Sequence, residues 1–461
     1  MLRQHWHCLT LAGRDIDDQY YIFPHMHFTV AFNGDRIVAV NATMDHEQRK
    51  QLIPGLQPQM VRFSYSVEWR ATTVAYEDRL AHLNDASFLP QSLEIHWLSI
   101  VNSVVLVVLL TAFLSIMLLR IVKNDLTHYL TEDDEESMME IETGWKLVHT
   151  DVFRSPERPN FFASIVGSGA HLFATGSALL IVALTGAFSY SRRGAMLSAV
   201  ILLYALTSVV GGYVSGRLYK QLGGTRWVWN TVTTMLMFPL PLFCMFVFLN
   251  TTAFAHASIA ALPIGTIFLL VGVFLVIAFP LTLLGSILGK NTTAWKPPVR
   301  TNKVRREIPA VPWYKSPLLA GLLLGGLLPF SAISIEVHYT FAAIWGHKVY
   351  TFFGILALAF VLLALVTAFV VVALVYYQLS QENWQWWWRS ISSGGAVSIY
   401  IMAYSFVYFF NHSEMSGFLQ VSFFFGYMSL VAYAFFLMQA FVGFSSALVF
   451  VRYIYAQIKT E

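Results

Sequence analysis

The sequence is poor in charge. Of its 461 residues only 12% are Asp, Glu, Lys or Arg, while 56% are hydrophobic. Soluble domains carry about 25% charged and about 45–50% apolar residues. This many apolar side chains cannot be packed inside a soluble fold, because too few polar ones remain to cover it. The shortage excludes a soluble enzyme, a disordered chain and a coiled coil. Cysteine is nearly absent. Cys8 and Cys244 allow at most one bridge, and Cys244 lies in an apolar run, so no disulfide framework is expected. A net charge of +3 is too small to imply nucleic acid as a partner. Catalytic signatures are missing too: there is no Gly-rich phosphate loop, nucleophile elbow or HExxH zinc motif. No enzyme activity, cofactor or resident metal is expected.

What remains is long apolar runs. They cover 97–119, 162–188, 194–215, 228–249, 259–287, 318–340, 350–377, 392–410 and 418–450. Each can cross about 30 Å of hydrocarbon at about 1.5 Å per helical residue. They lack the period-2 alternation of a barrel, and a bilayer offers the backbone no partners, so helices are expected. The first 95 residues differ. His27 to Val38 alternates around Asn33-Gly34, a hairpin signal, and Met60 to Trp69 alternates again. The expected fold is an all-α polytopic membrane protein of nine transmembrane helices, one plus a bundle of eight, preceded by a small β-rich domain. The divisions are 1–95 for that domain, 96–122 for the first helix, 123–160 for an acidic loop, 161–452 for the bundle and 453–461 for a tail.

Orientation follows from Lys and Arg. They crowd the segments after spans 1, 3, 5, 7 and 9, most densely as Lys290, Lys296, Arg300, Lys303, Arg305, Arg306 and Lys315. The opposite short loops hold Arg192, Arg193 and Lys348. This places the N-terminal domain outside the cytosol and the C-terminus inside it. Met1 to Gly13 has no apolar core of the kind a signal peptide needs. Either the true start lies upstream, or the first span drags the domain across as a reverse anchor; the former is expected.

Several polar features invite two readings each. His25 and His27 share one face of a strand, and His5, His7 and Cys8 are near in sequence. Metal binding is conceivable there; ordinary strand residues are the plainer reading. The acidic run Thr131 to Glu142 reads as a solvated stretch or as a docking surface for a basic partner. His171 in span 2, and Glu336 and His338 in span 6, are ionisable groups inside the membrane, each costing at least ~2.5 kcal/mol if unpartnered. They are candidates for client or ion recognition, against simple solvation or pairing. Glycine recurs at close-packing spacing in Gly212/Gly216, Gly285/Gly289 and Gly321/Gly325. Such pairs pack the bundle internally or dock another protein's helix. Of the sequons at Asn41, Asn250, Asn291 and Asn411, only Asn41 lies well clear of the bilayer on the exported side, and it is the expected glycan site. Pro239, Pro241, Pro263, Pro280 and Pro329 could mark broken helices of a transporter, but spans 7 to 9 carry none, so no matching second half is expected.

Longer motifs add a resemblance. Gly144-Trp145-Lys146-Leu147-Val148-His149-Thr150-Asp151-Val152-Phe153-Arg154, with Pro156, resembles the GWKxVHxDVFRxP signature of the nonaspanins, the transmembrane 9 superfamily. Pro297-Pro298-Val299-Arg300-Thr301-Asn302, Ile308-Pro309 and Pro312-Trp313-Tyr314 resemble its central cytosolic loop. Trp386-Trp387-Trp388-Arg389-Ser390, Pro329-Phe330 with Glu336, Gly426-Tyr427-Met428 and Ile95 to Ser103 are similar as well. The resemblance runs from about residue 20 to the end. It implies a lumenal N-terminal domain, here about half the family's length or less, and a multi-pass protein of Golgi and endosomes. It implies sorting or escort of other membrane proteins, especially those with Gly-rich transmembrane helices, and through this a role in surface delivery and cell adhesion. The terminal Lys459-Thr460-Glu461 resembles the family's KxD/E signal, which implies binding of the coatomer (COPI) coat through Lys459 and Glu461. The alternative is a secondary transporter or channel for a small solute or ion.

Overall fold

The computed structural model describes residues 12–14, 20–45, 50–52, 61–76, 98, 100–113, 115–116, 119–120, 144–188, 194–256, 258, 261–309, 312, 317–345, 353–413, 415 and 417–456. The chain divides into two compact units, Met1–Glu94 and Ile95–Glu461.

The first unit is β-rich. Strands β1 (Ala12–Arg14), β2 (Tyr20–Ile22) and β5 (Lys50–Leu52) form one antiparallel sheet in the order β1-β2-β5. Strands β3 (His25–Asn33), β4 (Arg36–Met44) and β6 (Ser64–Ala71) form another in the order β4-β3-β6. β3 pairs antiparallel with β4 and parallel with β6. The hairpin turn sits one residue later than the alternation suggests. Asn33 pairs with Arg36, and the turn is Gly34-Asp35 with Gly34 at φ 64°. Glycine belongs at the first central position, where positive φ carries no Cβ penalty.

The second unit is helical. A short apolar helix, α1 (Ile100–Phe113), precedes eight helical spans long and apolar enough to cross a membrane. The spans are α2 (Pro159–Leu184), α3 (Ala195–Gln221), α4 with α5 (Trp227–Met237 and Pro239–Ala255), and α6 with α7 (Ile264–Val273 and Phe279–Asn291). Then follow α8 (Pro317–Trp345), α9 (Phe353–Ser380), α10 with α11 (Trp386–Gly395 and Val397–His412) and α12 (Phe418–Ala456). The Ser103 hydroxyl of α1 donates to the Ala332 carbonyl of α8 at 2.7 Å.

Proline predicts the breaks only in part. Span 4 breaks at Phe238, where Pro239 and Pro241 open α5. In span 5 a π-turn, Phe274–Ala278, separates α6 from α7, and the Phe279 N–H reaches back to the Phe274 carbonyl. Pro280 follows at once, so the shifted register falls where the next N–H is missing. By contrast α8 runs straight through Pro329. Span 8 breaks at Ala396 with no proline at all, after Gly394-Gly395.

That last break corrects the expectation that no second half matches. The spans form two groups of the same order: two long helices, a span that opens on tryptophans and breaks early, and a closing span. Trp227 and Trp229 open α4, and Trp386, Trp387 and Trp388 open α10. The packing repeats too. In the first group α2 packs on α3 and α4, α3 on α4 and α7, and α4 on α7. In the second α8 packs on α9 and α10, α9 on α10 and α12, and α10 on α12. α12 joins the groups by packing on α2 and α5.

The groups differ at one place. α11 packs on both α8 and α12. Among the described residues its counterpart α5 has no packed interface with α2, and α6 has none beyond the π-turn that continues it. No residue of α6 is buried.

Candidate functional site

His171 lies on α2 against α3. Gly211 makes room for it: a Cβ there would meet the His171 Cβ at 2.8 Å. The imidazole Nε2 lies 2.7 Å from the Tyr204 carbonyl, which only accepts. Nε2 therefore carries the hydrogen, and in the neutral ring Nδ1 is left as an acceptor. The ring borders a cavity of about 10 Å³ with Ser168, Tyr204, Ser208, Thr234 and Thr282. That is room for about one water-sized group. Phe238, at the break in span 4, and Phe274 and Ala278, at the two ends of the π-turn, also line it. Hydroxyls serve the carbonyls around these breaks. Ser168 donates to the Thr234 carbonyl at 2.9 Å, and Thr282 to the Ala278 carbonyl at 2.8 Å. Pro241 leaves the Met237 carbonyl without its helical partner, and the Tyr433 hydroxyl of α12 supplies one at 2.7 Å.

Glu336 and His338 lie elsewhere, on α8. Glu336 is 3% exposed, and the Thr340 hydroxyl donates to its backbone carbonyl. His338 Nδ1 is 2.7 Å from the Tyr404 hydroxyl of α11. The His338 ring also meets Tyr408 and His412, which follow Tyr404 at four-residue steps along one face of α11. The three predicted membrane residues are thus not one site: His171 engages α3, and His338 engages α11. Sequence reasoning missed Tyr404, Tyr408 and His412, whose periodicity was the available signal.

The glycine pairs are engaged inside the bundle. A Cβ on Gly212 would meet Ser286 N at 2.9 Å, and one on Gly285 would meet Tyr213 N at 2.9 Å. Gly216 and Gly289 interlock in the same α3–α7 interface, against Ser286 and Tyr213. Gly321 and Gly325 face Ser393 of α10.

The signature segment forms a clasp over one end of the bundle. Gly144–Val148 is a 3₁₀ turn, with Trp145 and Val148 buried. The Val152 carbonyl accepts from both Trp386 and Trp387 Nε1, at 2.9 and 3.2 Å. Trp388 Nε1 donates to the Glu157 carbonyl at 3.0 Å. Asp151, 1% exposed, pairs with Arg154, which also donates to the carbonyls of Asn302 and Val304. Arg306 bonds Glu382 at 2.9 Å, while the Trp384 indole donates to the Arg306 carbonyl at 3.1 Å. Arg452 of α12 stacks over Trp295 at 4.4 Å. The signature segment, the 295–306 loop and the run Trp386 to Trp388 therefore converge in space.

In the first unit His25 and His27 do share one face of β3. Both rings lie within hydrogen-bond distance of the Ser66 hydroxyl, and His27 faces Glu68 at 3.4 Å. Bonding from Arg70, then from His27, holds the Glu68 carboxyl below its usual range. Among the described residues no cluster of three or more His, Cys, Asp or Glu could hold a metal. Asn41 is exposed on β4, and Cys244 is a free, exposed thiol. His5, His7, Cys8, the acidic run 131–142, Lys459 and Glu461 lie outside the described residues.

A family model described as Endomembrane protein 70 matches residues 8–418. Transmembrane 9 superfamily member 4 of Arabidopsis thaliana is 44% identical over 444 residues, covering 96% of this chain and 74% of the relative. Member 3 of the same plant is 45% identical over the same shares. Transmembrane 9 superfamily member 1 of Bos taurus is 42% identical over 450 residues, covering 95% of this chain and 74% of the relative. No solved structure matches. By this measure the chain belongs to the transmembrane 9 (endomembrane protein 70) superfamily and is a multi-pass membrane protein of the endomembrane system.

Proposed function

We propose that the protein sorts or escorts other transmembrane proteins in the Golgi and endosomes, recognising client helices within the bilayer. Its N-terminal domain is lumenal and its C-terminus cytosolic in this reading. The observation that carries it is Glu336: a carboxyl 3% exposed within a membrane span, two residues before His338 on the same helix. Ionisable groups at such depth are costly and mark sites of polar recognition. The glycine pairs do not serve as the client surface, since they are occupied within the bundle. Lys459 and Glu461 bind the coatomer coat and hold the protein in those membranes. Client co-purification from cells expressing Glu336→Gln tests the reading: recovery falls, and unchanged recovery with unchanged client surface level rejects it. Replacing Lys459 moves the protein toward the surface or lysosome; an unaltered location removes the tail from the account.

One observation favours a second reading, a transporter or channel. The two groups of four spans repeat the same packing and the same early break in their third span. Repeats with discontinuous helices are frequent in secondary transporters. Solute flux into liposomes holding the purified protein, with Glu336→Gln as control, separates the readings.

A further inference from the structure

One end of the first group of spans gathers cations that have no counter-charge. No Asp or Glu lies between Glu157 and Glu307 in the sequence. Arg217 and Lys220 lie near the end of α3, Arg226 directly precedes α4, and Lys290 is in the last turn of α7. α3 packs on α7, and α4 packs on both, so these ends meet. A Cβ on Gly289 would touch Arg217 N at 2.8 Å, which puts the chain at Lys290 against the end of α3. Lys220 Nζ donates to the Thr292 carbonyl at 2.8 Å, and Lys290 Nζ sits over the Trp227 ring at 4.3 Å. Beside them Gln221 donates to the Trp295 carbonyl, and Arg452 covers that indole. Lys296 follows Trp295 and is exposed. A carbonyl or a ring holds a cation in place without neutralising it. Among the described residues none of Arg217, Lys220, Arg226, Lys290, Lys296 and Arg452 pairs with a carboxylate.

The matching end of the second group is built differently. Trp386 and Trp387 are 0% and 4% exposed beneath the clasp, and Glu382 pairs with Arg306. In the first group Trp229 is 64% exposed, and Val228 of α4 with Ile287 and Leu288 of α7 are exposed as well. The bases therefore stand where the lipid-facing side chains of α4 and α7 give way to polar chain. An exposed tryptophan at a helix end marks that border as the headgroup level. A soluble acidic protein would meet the cations but leave the apolar rim below them without a partner. A lipid satisfies both, with an anionic head and hydrocarbon tails.

We propose that this end of α3, α4 and α7 binds the headgroup of a phosphoinositide, a lipid whose ring carries phosphate esters. Clustered Lys and Arg at a helix end attract anionic lipid. Lys220 and Lys290 are already held in place. Such a fixed set favours one multiply charged head over several singly charged ones, because fewer lipids are immobilised for the same neutralisation. Arg217 and Arg226 add guanidinium forks, which match phosphate oxygens two at a time. The orientation proposed above makes the adjoining leaflet the cytosolic one. Binding to detergent-solubilised protein does not depend on that orientation, so the two can fail separately.

The test titrates the purified full chain in neutral detergent with dioctanoyl phosphatidylinositol 4,5-bisphosphate and, separately, with dioctanoyl phosphatidylserine. Native mass spectrometry counts the bound lipid. One bisphosphate lipid binds at least about tenfold more tightly than the serine lipid, and added salt weakens it. Lys290→Gln and Arg226→Gln each weaken binding about fivefold, the factor one basic residue carries at a membrane surface. Lys290→Arg retains it. Lys303→Gln removes the same charge from the loop beyond and changes affinity less than about twofold. Should Lys290→Gln lower the melting temperature, Arg226→Gln, with its exposed side chain, carries the test. Equal affinity for the two lipids, an equal loss in Lys303→Gln, or comparable binding of a soluble polyglutamate peptide overturns the proposal. So does lipid binding that appears only after deletion of residues 131–142, which would make the chain's own acidic run the occupant.

Discussion

The Tyr455 hydroxyl donates a 2.7 Å hydrogen bond to the Trp145 carbonyl, joining positions 310 residues apart. Both residues are buried, and their rings meet edge to face at 5.5 Å. The end of the last membrane helix is thereby tied to the signature segment that precedes the second. Tyr455→Phe keeps the ring and removes the bond, leaving a buried carbonyl without its donor. A loss of about 1–3 kcal/mol follows, read as a lower melting temperature of the detergent-solubilised protein. An unchanged melt would show that the clasp contributes little to stability.

Asp151 and Arg154 make the clasp's ion pair, with side-chain exposures of 2% and 16%. Arg154 carries the Asn302 and Val304 carbonyls with it. Asp151→Asn leaves a largely buried cation without its counter-charge, a loss of about 3 kcal/mol. The 300–306 loop then becomes cleavable by trypsin in intact protein at lower protease concentration. Equal cleavage of both forms contradicts this.

Two glycines of similar sequence context behave differently. At Gly285 a methyl group would collide with α3 backbone, so Gly285→Ala forces the α3–α7 interface apart at about 1–3 kcal/mol. At Gly265 the space is open, and Gly265→Ala is neutral or raises stability by up to about 1 kcal/mol. Fluorescence-detected thermal melts of the two variants, side by side, check the sign of each.

Bonding from Arg70, then from His27, holds the Glu68 carboxyl below the usual carboxylate range. A depressed carboxylate contributes stability that is present above its unfolded pKa and lost as pH falls through the lower folded one. Pairing with Arg70 is therefore intact throughout pH 5–7. Amide exchange in β6 of the whole protein should be flat across that range for this cause and rise only below about pH 4.5. A Glu68-dependent change between pH 7 and 5 runs against the assignment.

Asn41 is exposed on β4 and heads an Asn-Ala-Thr sequon. The proposed lumenal placement of the N-terminal unit predicts that glycosidase treatment shifts the protein's mobility and that Asn41→Gln abolishes the shift. A glycan that persists in Asn41→Gln contradicts the assignment.

Much was legible before any coordinates. The shortage of charge set the class, and the apolar runs set the spans, because a bilayer admits few backbone solutions. The alternation of His27 to Val38 pointed to strands, and the spacing of His25 and His27 put both histidines on one face. Local chemistry misled where it met competing local chemistry: Gly34 took the first turn position, so the hairpin moved by one residue. Proline was read as a break at Pro329, where the helix simply continues. The break after Gly395 had no proline to announce it.

Three things were decided only in three dimensions. The glycine pairs could serve a client or the bundle, and the sequence is the same in either case; α3 and α7 settled it by closing on each other. His171, Glu336 and His338 looked alike as membrane ionisables, yet neighbours from different helices separate them. The hydroxyls around the His171 cavity reach carbonyls of three segments, α3, α4 and the π-turn, which no local pattern brings together. Sequence by itself determined what must be buried and roughly where the chain crosses, because hydrophobic burial and backbone satisfaction are nearly local demands. Which surfaces were consumed and which were left open was a matter of packing between distant segments, and only the tertiary structure could decide it.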